Sequence, residues 1–161
     1  MITVAQAEML PLFHREVISA DYLDEMGHMN VRWYMALFDR AAWKFFASVG
    51  MTPAYFEQEQ GGIFALQQFI QYRAEVRVGE QVAVRTRVLG RSAKRAHFMH
   101  FMVNETTGIV ASTMEGLSSH ANLEQRRTSP FPPLLAEVLN RYLLEHSQLD
   151  WPAPLCGVMK A

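Results

Sequence analysis

The chain reads VRWYMALFDRAAWKFFASV from Val31 to Val49, and this stretch decides the fold. Its apolar side chains recur at intervals of three and four residues, which is the spacing of one face of an α-helix. That face comprises Val31, Tyr34, Leu37, Phe38, Ala41, Ala42, Phe45 and Val49. The polar residues form a narrow stripe of Arg32, Asp39, Arg40, Lys44 and Ser48. We therefore predict a helix that ends at Gly50 and is covered by other elements on most sides.

A period of two replaces the helical period further along the chain. Residues 70–78 alternate between apolar and polar side chains, which predicts a long strand with one buried face. Gly61-Gly62 is predicted to break the regular structure of the chain before this strand, and Gly79-Glu80 is predicted to form the turn after it. Residues 104–108 have the composition of a hairpin loop. The predicted strands are 70–78, 82–88, 97–103 and about 109–123, with an earlier strand near 13–19.

These elements predict an α+β fold of one domain, residues 1–161. A strand, a long apolar helix and about four consecutive antiparallel strands bury the helix only if the sheet curves around it. Thr52-Pro53 is typical of a helix start and predicts a short helix to about residue 57. After prolines at 130–133, an amphipathic helix is predicted to about residue 145, with Leu134 and Leu135 on its apolar side. An extended arm is predicted after it.

Composition argues against several classes of function. A net charge of −1 and a pI near 6.6 provide no overall positive electrostatic field that would attract nucleic acid, so we predict no nucleic-acid partner. Every apolar run is interrupted before the roughly 20 residues that a membrane helix needs, and we predict no integral membrane protein. The single cysteine, Cys156, and an N-terminus without a basic region followed by an apolar one favour a cytoplasmic location.

Asp24 lies on a short loop, residues 22–30, that runs into the apolar helix. An aspartate in this position often hydrogen-bonds nearby amides as a cap. The first N–H groups of a helix also lack intrahelical partners and carry the positive end of the dipole, so they stabilise a developing oxyanion. A carboxylate beside them can attack a polarised carbonyl or deprotonate a water that does so. Capping and metal-free hydrolysis are therefore the two interpretations of Asp24.

Two other polar residues, His28 and Asn30, share the loop. Histidine can act as acid or base near neutral pH, although a structural role is the more common one in such a loop. Asn30 is predicted to cap the helix start. The remaining histidines lack the spacing of a metal-ligand pair on one helix, and His97 and His100 are expected to face opposite sides of their strand. The sequence therefore indicates no metal site.

A compact basic group lies between two predicted strands and contains Arg91, Ser92, Lys94 and Arg95. The simplest interpretation is a solvated hairpin end. The alternative is an anion site, in which guanidinium and ammonium groups bind the phosphate oxygens of a ligand. The glycines of the chain are dispersed, so no phosphate-binding glycine loop supports the alternative.

The loop and helix resemble those of the hotdog-fold thioesterases of the 4-hydroxybenzoyl-CoA thioesterase type. The resemblance rests on Asp24-x-x-Gly27 before the helix, on Gly-His-Met-Asn at residues 27–30, and on Phe38-Asp39 followed by Ala41-Ala42. Two later segments also look like the family's, Glu-Val-Arg-Val-Gly-Glu at 75–80 and Leu-Gly-Arg-Ser-Ala-Lys-Arg-Ala-His at 89–97. The similarity covers about residues 13–123.

This resemblance implies a hotdog fold, a curved antiparallel sheet wrapped around the long central helix, here with an extra C-terminal helix. It implies hydrolysis of an acyl-CoA thioester, with Asp24 as nucleophile or general base and the helix N–H near Val31 as oxyanion donor. Gly27, His28 and Asn30 would complete the catalytic loop. No cofactor is implied, because CoA enters as part of the substrate.

The resemblance also implies partners and a substrate-binding surface. Family members usually place the active site at a dimer interface, so a homodimer or homotetramer is expected, with Gln67 or Gln68 of the partner lining the pocket. The basic group would hold the CoA phosphates. These residues are Arg91, Ser92, Lys94 and Arg95.

Within the family, the Gly-His-Met-Asn loop, residues 94–97 and the proline-rich C-terminal region look most like the betainyl-CoA thioesterases. Such a substrate carries a short acyl group with a trimethylammonium cation. Trp33, Tyr34 or Phe38 would then offer a π face to that cation, an interaction of about 0.5–2 kcal/mol. The other interpretation of these aromatics is core packing, which we favour for Phe38.

Two other functions are compatible with this fold. One is hydration or dehydration of an acyl thioester, as in other hotdog branches. Those enzymes typically carry an Asp-x-Asn-Pro-x-x-His-like or a Gly-His-Phe-Pro loop, and neither occurs in this sequence. The other is a module that binds acyl-CoA without catalysis, in which Asp24 acts only as a cap.

Overall fold

The computed structural model describes residues 2–161, which form helices and strands in a mixed order. A 3-10 turn at Ala20–Tyr22 precedes the loop that carries Asp24. The helices are α1 (Val4–Glu8), α2 (Val31–Val49), α3 (Pro53–Gln58) and α4 (Pro133–Ser147). The strands are β1 (Leu12–Val17), β2 (Gly61–Tyr72), β3 (Gln81–Arg91), β4 (Arg95–Asn104), β5 (Ile109–Asn122) and β6 (Arg127–Thr128).

The strands form one sheet in the order β1-β3-β4-β5-β2, and β6 pairs with β5. β1 lies antiparallel to β3, with a register shift between Leu12 and His14. β3, β4 and β5 are joined by short connections and neighbour each other, as in a meander. β2 is the last strand in this order, so one of its edges has no neighbouring strand among residues 2–161. The architecture is α+β, as predicted.

The chain divides into two compact units. The first contains the chain up to Lys44 together with Ile70–Thr86 and His100–Met114. The second contains Phe45–Phe69, Arg87–Met99 and Glu115–Ala161. Helix α2 and strands β2, β3, β4 and β5 each contribute residues to both units.

The core of the first unit forms where α2 packs on the sheet. Phe38 is fully buried, and its ring lies parallel to that of His100 with 6.0 Å between the ring centres. His100 hydrogen-bonds Thr86 through its Nδ1 at 2.8 Å. Burial lowers the pKa of His100 to about 3, so its imidazole is neutral near pH 7. The favoured interpretation of Phe38, core packing, is therefore confirmed.

Aromatic rings dominate the core of the second unit. The ring of Phe45 lies 4.9 Å from that of Phe46 and 5.6 Å from that of Phe98. Tyr142 of α4 approaches Phe45 edge-on at 5.9 Å. Large aromatic side chains that pack in this way bury much apolar surface at one place. They attach α4 to the C-terminal part of α2.

Residues 148–161 follow α4 without a helix or strand, and we call them the C-terminal arm. The guanidinium of Arg87 donates to the carbonyls of His146 and Trp151 and lies 4.4 Å from the centre of the Trp151 ring. His146 Nδ1 accepts the N–H of Val88 at 2.8 Å. Burial lowers the pKa of His146 to about 4, which keeps this nitrogen available as an acceptor.

A buried carboxylate fixes the arm further along. Glu115 is 1% exposed, and its Oε2 accepts the backbone N–H of Cys156 at 2.6 Å. Its Oε1 lies 2.8 Å from Nε2 of His97. Although burial raises the pKa of Glu115, these hydrogen bonds lower it by more, so the carboxylate is held ionised.

The predicted strand 70–78 is wrong. β2 ends at Tyr72 and β3 begins at Gln81, so the chain between them is an irregular connection. Val76 is buried and its carbonyl accepts the N–H of Met29, whereas Val78 is 53% exposed. The alternation of apolar and polar residues therefore comes from the burial of individual side chains, such as Val76, in an irregular connection. It does not come from strand pairing. The turn at Gly79 exists, with a positive φ of 80°, but it does not join two paired strands.

Gly61-Gly62 begins β2, and the prediction of a chain break there is wrong. A Cβ at Gly61 would overlap the ring of Tyr55, and one at Gly62 would overlap the side chain of Leu123. Glycine is therefore present because other residues pack closely on this strand. Three further elements were not predicted: α1, the 3-10 turn Ala20–Tyr22 and β6.

The helix predictions are largely confirmed. α2 has the predicted bounds, the α3 N-cap is Thr52, and α4 extends two residues beyond the predicted end. The prediction that Leu134 lies on the apolar side of α4 is wrong, because its side chain is 74% exposed, whereas Leu135 is buried. Among residues 2–161, no helix combines the length and the apolar character that crossing a membrane needs.

Candidate functional site

Residues 22–30 form a compact loop that enters α2. The N–H of Gly27 donates to the carbonyl of Asp24 at 3.0 Å, and the N–H of Asp24 donates to the carbonyl of His28 at 2.9 Å. Gly27 has a positive φ of 82°, a conformation that other residues rarely adopt. The loop is thus closed on itself around Asp24.

The Asp24 carboxylate lies within this loop and is partly shielded from solvent. Its Oδ1 accepts the N–H of Met26 at 2.9 Å, while Oδ2 lies 3.5 Å from Nδ1 of His28. Its side chain is 18% exposed. One oxygen is therefore fixed by the backbone, and the other faces the imidazole without a close hydrogen bond. The first interpretation of Asp24, a residue before the helix that hydrogen-bonds a nearby amide, is confirmed by the bond from Met26, which lies within the same loop.

Asn30 caps α2, as predicted. Its side-chain oxygen accepts the N–H of Arg32 at 3.1 Å, and its carbonyl accepts the N–H of Trp33 at 2.9 Å. Val31, the first residue of the helix, is 57% exposed. No hydrogen bond from the Val31 N–H is found among residues 2–161. The Val31 N–H, a helix-start donor for which no partner is found among these residues, is suited to an oxygen that acquires negative charge.

Backbone contacts with buried residues hold the loop in place. The N–H of Met29 donates to the carbonyl of Val76 at 2.7 Å, and the N–H of Asn30 donates to the carbonyl of Tyr22 at 2.9 Å. The ring of Tyr22 stacks on that of Trp33 with 4.0 Å between centres. The position of the loop is thus fixed at both of its ends.

Tyr22 is itself held by a charged network. Its hydroxyl donates to Glu16, whose carboxylate also binds Arg40 and lies 2.8 Å from Nε2 of His14. Burial alone raises the pKa of Glu16, but these hydrogen bonds lower it to about 2. The carboxylate is therefore ionised near pH 7, and it ties the strand before the loop to the polar face of α2.

A cavity of about 290 Å³ opens beside the helix start. Tyr34 and Tyr72 meet edge to face in it, with ring centres 5.1 Å apart. The Tyr34 hydroxyl donates to the carbonyl of Ala74 at 3.2 Å, and burial raises the pKa of this phenol to about 12. The cavity is lined by His28, Met29, Val31, Tyr34, Tyr72, Arg73, Ala74 and Glu75.

A larger cavity, about 620 Å³, shares Arg73 and Ala74 with the first. Its remaining walls come from residues 2–4 and 108–110 and are mainly apolar. It contains none of the catalytic residues predicted from the sequence. The smaller cavity is lined by two of the predicted catalytic residues, His28 and Val31, while Asp24 lies behind His28 and not in the lining, and we take this cavity as the candidate active site.

The structure brings together only part of the predicted site. Asp24, Gly27, His28, Asn30, Val31 and Tyr34 belong to one loop and the helix start that follows it. The ring of Trp33 does not line the cavity, because it is stacked between Tyr22 and the guanidinium of Arg32, 5.4 Å from its centre. The remaining predicted residues lie in the second unit: Gln67, Gln68, Arg91, Ser92, Lys94 and Arg95.

The basic group lies in the hairpin between β3 and β4, where Lys94 and Arg95 are exposed and Arg91 is half-buried. The guanidinium of Arg91 donates to Oδ1 of Asn140 at 2.5 Å and to the carbonyl of Ser92 at 3.0 Å. The Ser92 hydroxyl oxygen accepts the N–H of Arg95. Arg91 is thus occupied in holding α4, whereas the side chain of Arg95 lines a separate cavity together with Gln67.

Five residues that line the cavity were not predicted as site residues: Met29, Tyr72, Arg73, Ala74 and Glu75. Tyr72 is the last residue of β2, and residues 73–75 begin the irregular connection that follows it. The exposed aromatic side chain of Tyr72 was the only available signal. Nothing in the local pattern places this segment beside Val31.

Solved structures share this fold. A Staphylococcus aureus protein determined in complex with CoA matches with a TM-score of 0.84 at 24% identity, covering 94% of this chain and 96% of that chain. A DHNA-CoA thioesterase from Staphylococcus aureus matches with a TM-score of 0.71 at 18% identity, covering 80% of this chain and 87% of that chain. At these identities the likeness shows the fold, and it confirms the predicted hotdog fold.

Sequence comparison identifies the family. A betainyl-CoA thioesterase of Pseudomonas aeruginosa is 28% identical over 121 residues, which are 75% of this chain and 74% of that protein. The family model described as the Thioesterase-like superfamily matches residues 18–139, well over half of the chain. The matched range includes the Asp24 loop, all of α2 and strands β2 to β5. The predicted enzyme class, a thioesterase, is confirmed: this chain belongs to the Thioesterase-like superfamily.

Proposed function

We propose that the protein hydrolyses an acyl-CoA thioester to the free acid and CoA at the cavity beside Val31. The observation that carries this proposal is that His28, whose Nδ1 lies 3.5 Å from Oδ2 of Asp24, lines this cavity together with Val31 at the helix start. Asp24 and Val31 belong to one rigid loop and helix entry, held by the contacts of Met29 and Asn30. A carboxylate and an oxyanion donor are what metal-free thioester hydrolysis needs.

In the proposed reaction, the thioester carbonyl oxygen lies against the Val31 N–H. The helix dipole and this donor stabilise the negative charge that develops on the oxygen. Asp24 removes a proton from a water as the new C–O bond forms at the carbonyl carbon. The C–S bond then breaks, and the proton passes to the departing CoA thiolate. His28, near Oδ2 of Asp24, would orient the carboxylate.

Direct attack by Asp24 is the other route. The carboxylate oxygen would then form an anhydride with the acyl group, which water hydrolyses in a second step. Hydrolysis in ¹⁸O-labelled water under single turnover distinguishes the two routes. The anhydride route can place solvent oxygen in the Asp24 side chain, whereas the general-base route leaves Asp24 unlabelled.

We propose that two copies of the chain pair along β2. Its outer edge has no neighbouring strand among residues 2–161, and Leu66, Phe69 and Tyr72 are exposed on it. An open edge with apolar side chains is a ready site for another strand. Gln67 and Gln68, the residues predicted to line the partner's pocket, lie on this same strand.

Light scattering tests the pairing. We expect a mass of twice 18.4 kDa, or of a higher even multiple, at micromolar concentration. Phe69→Lys should lower it towards the mass of one chain, because a buried lysine opposes pairing, whereas Lys44→Gln on the polar face of α2 should leave it unchanged. A monomer mass for the unaltered protein would contradict the proposal.

For the acyl group, we propose a short chain with a quaternary ammonium. The cavity offers the rings of Tyr34 and Tyr72 and the carboxylate of Glu75, and a cation above such rings gains about 0.5–2 kcal/mol. The 28% identical relative is named for betainyl-CoA, which carries this group. Arg73 also lines the cavity with its positive charge, its guanidinium donating to the neutral amide of Gln71 at 2.9 Å, and the Glu75 carboxylate lies 3.3 Å from the guanidinium of Arg77.

A matched pair of substrates tests the acyl group. Betainyl-CoA and 3,3-dimethylbutanoyl-CoA have nearly the same shape and differ in the charge of one centre. We expect kcat/KM to favour the cation by about 2- to 30-fold, and Tyr72→Leu to reduce this preference. Equal kcat/KM for the two substrates would contradict the assignment of the acyl group. Absence of turnover on every thioester would favour a binding module instead.

A further inference from the structure

The larger cavity beside the candidate active site, about 620 Å³, has no role in the proposed reaction, and we call it the N-terminal cavity. Residues 2–4, 73–74 and 108–110 line it, and all of them belong to the first unit. Its volume lies within the range of about 300–1,000 Å³ that is usual for small-molecule sites. Aliphatic side chains form most of its wall: Ile2, Val4, Ile109 and Val110. The N-terminal cavity thus has the size and the surface of a site for an apolar ligand.

Arg73 is the only charged residue in this wall among residues 2–161. Its guanidinium donates to the neutral side chain of Gln71 at 2.9 Å, and within the described chain it forms no ion pair with a carboxylate. The other polar side chain of the wall, Thr3, is occupied, because its hydroxyl oxygen accepts the N–H of Gln6 at 3.2 Å and its own N–H donates to the Gln6 side chain at 2.9 Å. A ligand therefore meets one uncompensated positive charge in an otherwise apolar wall.

Hydrogen bonds fix the segments that form the N-terminal cavity. The N–H groups of Arg73 and Ala74 both donate to the carbonyl of Ala111, at 2.8 and 3.1 Å. The N–H of Gly108 donates to the carbonyl of Asn104 at 2.9 Å, which closes the hairpin loop before β5. The third segment leads into α1 through the cap described above. Walls that are already fixed lower the entropy cost of binding a ligand.

We propose that the N-terminal cavity binds a medium-chain alkyl carboxylate, a free fatty acid, as a second ligand besides the substrate. The carboxylate lies against the guanidinium of Arg73, which can bind two carboxylate oxygens at once through charge-assisted hydrogen bonds. The hydrocarbon chain lies along the aliphatic wall, where each methylene removed from water raises the affinity up to about fourfold. A nucleotide or a sugar would leave most of its polar groups without partners in such a wall.

The fatty-acid site is coupled to the candidate active site, because Arg73 and Ala74 line both cavities. A bound carboxylate compensates the charge of Arg73, which otherwise opposes a cationic acyl group in the smaller cavity. We expect decanoate to raise kcat/KM for betainyl-CoA about two- to fivefold and to leave the value for 3,3-dimethylbutanoyl-CoA unchanged. This coupling rests on the proposed function, whereas binding of the fatty acid does not.

Calorimetry with hexanoate, octanoate and decanoate tests the site without turnover. We expect the affinity to rise about four- to fifteenfold for each step of two methylenes, because the chain is removed from water. Decanoate should bind at least about tenfold more tightly than decylammonium, whose charge is repelled by Arg73. Equal affinities for the carboxylate and the amine would contradict the proposed contact with Arg73.

Two variants remove the two features of the site separately. Arg73→Gln should weaken decanoate binding at least about tenfold and abolish the difference from decylammonium. Ile109→Glu should weaken it at least as much, because the wall acquires a charge that opposes both the chain and the carboxylate. Val17→Glu makes the same kind of change at an aliphatic side chain of β1, which is 56% exposed compared with 40% for Ile109. This control should bind decanoate as the wild type does.

The inference fails if Arg73→Gln and Ile109→Glu bind decanoate as tightly as the wild type. It also fails if decanoate competes with the acyl-CoA, because the acid would then occupy the candidate active site. Light scattering gives a third contradicting result: a lower mass for Ile109→Glu, without decanoate binding to the wild type, would assign the cavity to a second copy of the chain. If decanoate binds as expected and no thioester is cleaved, the proposed function fails and the fatty-acid site stands.

Discussion

Asp24→Asn is expected to lower kcat for acyl-CoA hydrolysis at least about 10²–10³-fold, with a much smaller change in KM. The substitution keeps the shape of the side chain and removes its ability to take a proton or to attack a carbonyl carbon. An asparagine oxygen can still accept the N–H of Met26, now bound by Oδ1 at 2.9 Å. The loop should therefore retain its conformation, and thiol release from CoA measures the loss directly.

Glu25→Gln is the matched control for Asp24→Asn. Glu25 is the next residue of the same loop and is exposed to solvent. Its substitution removes one carboxylate of equal charge from nearly the same place, so long-range electrostatic effects are similar. We expect activity within about twofold of the wild type for a surface change of this kind. Equal activity in Asp24→Asn and Glu25→Gln would contradict the mechanism.

Phe38→Ala is expected to reduce the free energy of unfolding by about 3–5 kcal/mol. The ring is fully buried and lies against His100, so its removal leaves a cavity that fixed neighbours cannot fill. His100, neutral because burial holds its pKa at about 3, would be left with fewer apolar contacts. Denaturant unfolding, with constant m-value, measures the change.

Trp43→Ala provides the comparison for Phe38→Ala. Trp43 lies on the same helix but is 50% exposed, so less apolar surface is lost and no closed cavity forms. We expect less than half the destabilisation found at Phe38. If Phe38→Ala left stability unchanged and altered the preference between betainyl-CoA and its uncharged isostere, Phe38 would be a substrate contact rather than a core residue.

The helix and its entry were the parts most predictable from the sequence. α2 has one dominant period over its whole length, and both its cap, Asn30, and its end at Gly50 follow local rules. The interactions that decide these features lie within a few residues of one another. For the same reason the 104–108 hairpin loop and the approximate positions of β1, β3, β4 and β5 were predicted correctly.

The connection 73–80 is a segment whose structure the local sequence pattern predicted wrongly. Its alternation is as regular as that of a strand, yet the backbone hydrogen bond of the buried Val76 is to Met29, far away in the sequence, and not to a neighbouring strand. The period at which apolar residues recur indicates which side chains are buried. It does not indicate which backbone groups form hydrogen bonds with each other. The strand at 70–78 was therefore wrong, and β2 was placed too late in the chain.

Long-range contacts also explain the unpredicted parts of the site. Tyr72 at the end of β2 and Glu75 in that irregular connection line the cavity beside the helix start, and Glu16 is joined to Arg40 across 24 positions of the chain. A carboxylate, a tyrosine and an arginine scattered in this way carry no common signal in the sequence. The Asp24 loop was found because its residues are consecutive, whereas its supporting network became visible only in the structure.

A structure of the protein with a non-hydrolysable acyl-CoA analogue, in which a methylene replaces the thioester sulfur, tests the central claim most directly. We predict the ketone oxygen of the analogue within about 3 Å of the Val31 nitrogen, the distance of a working oxyanion donor. We also predict its carbonyl carbon within reach of the Asp24 carboxylate, directly or through one water. An analogue bound with its carbonyl in another cavity, away from Val31 and Asp24, would contradict the account.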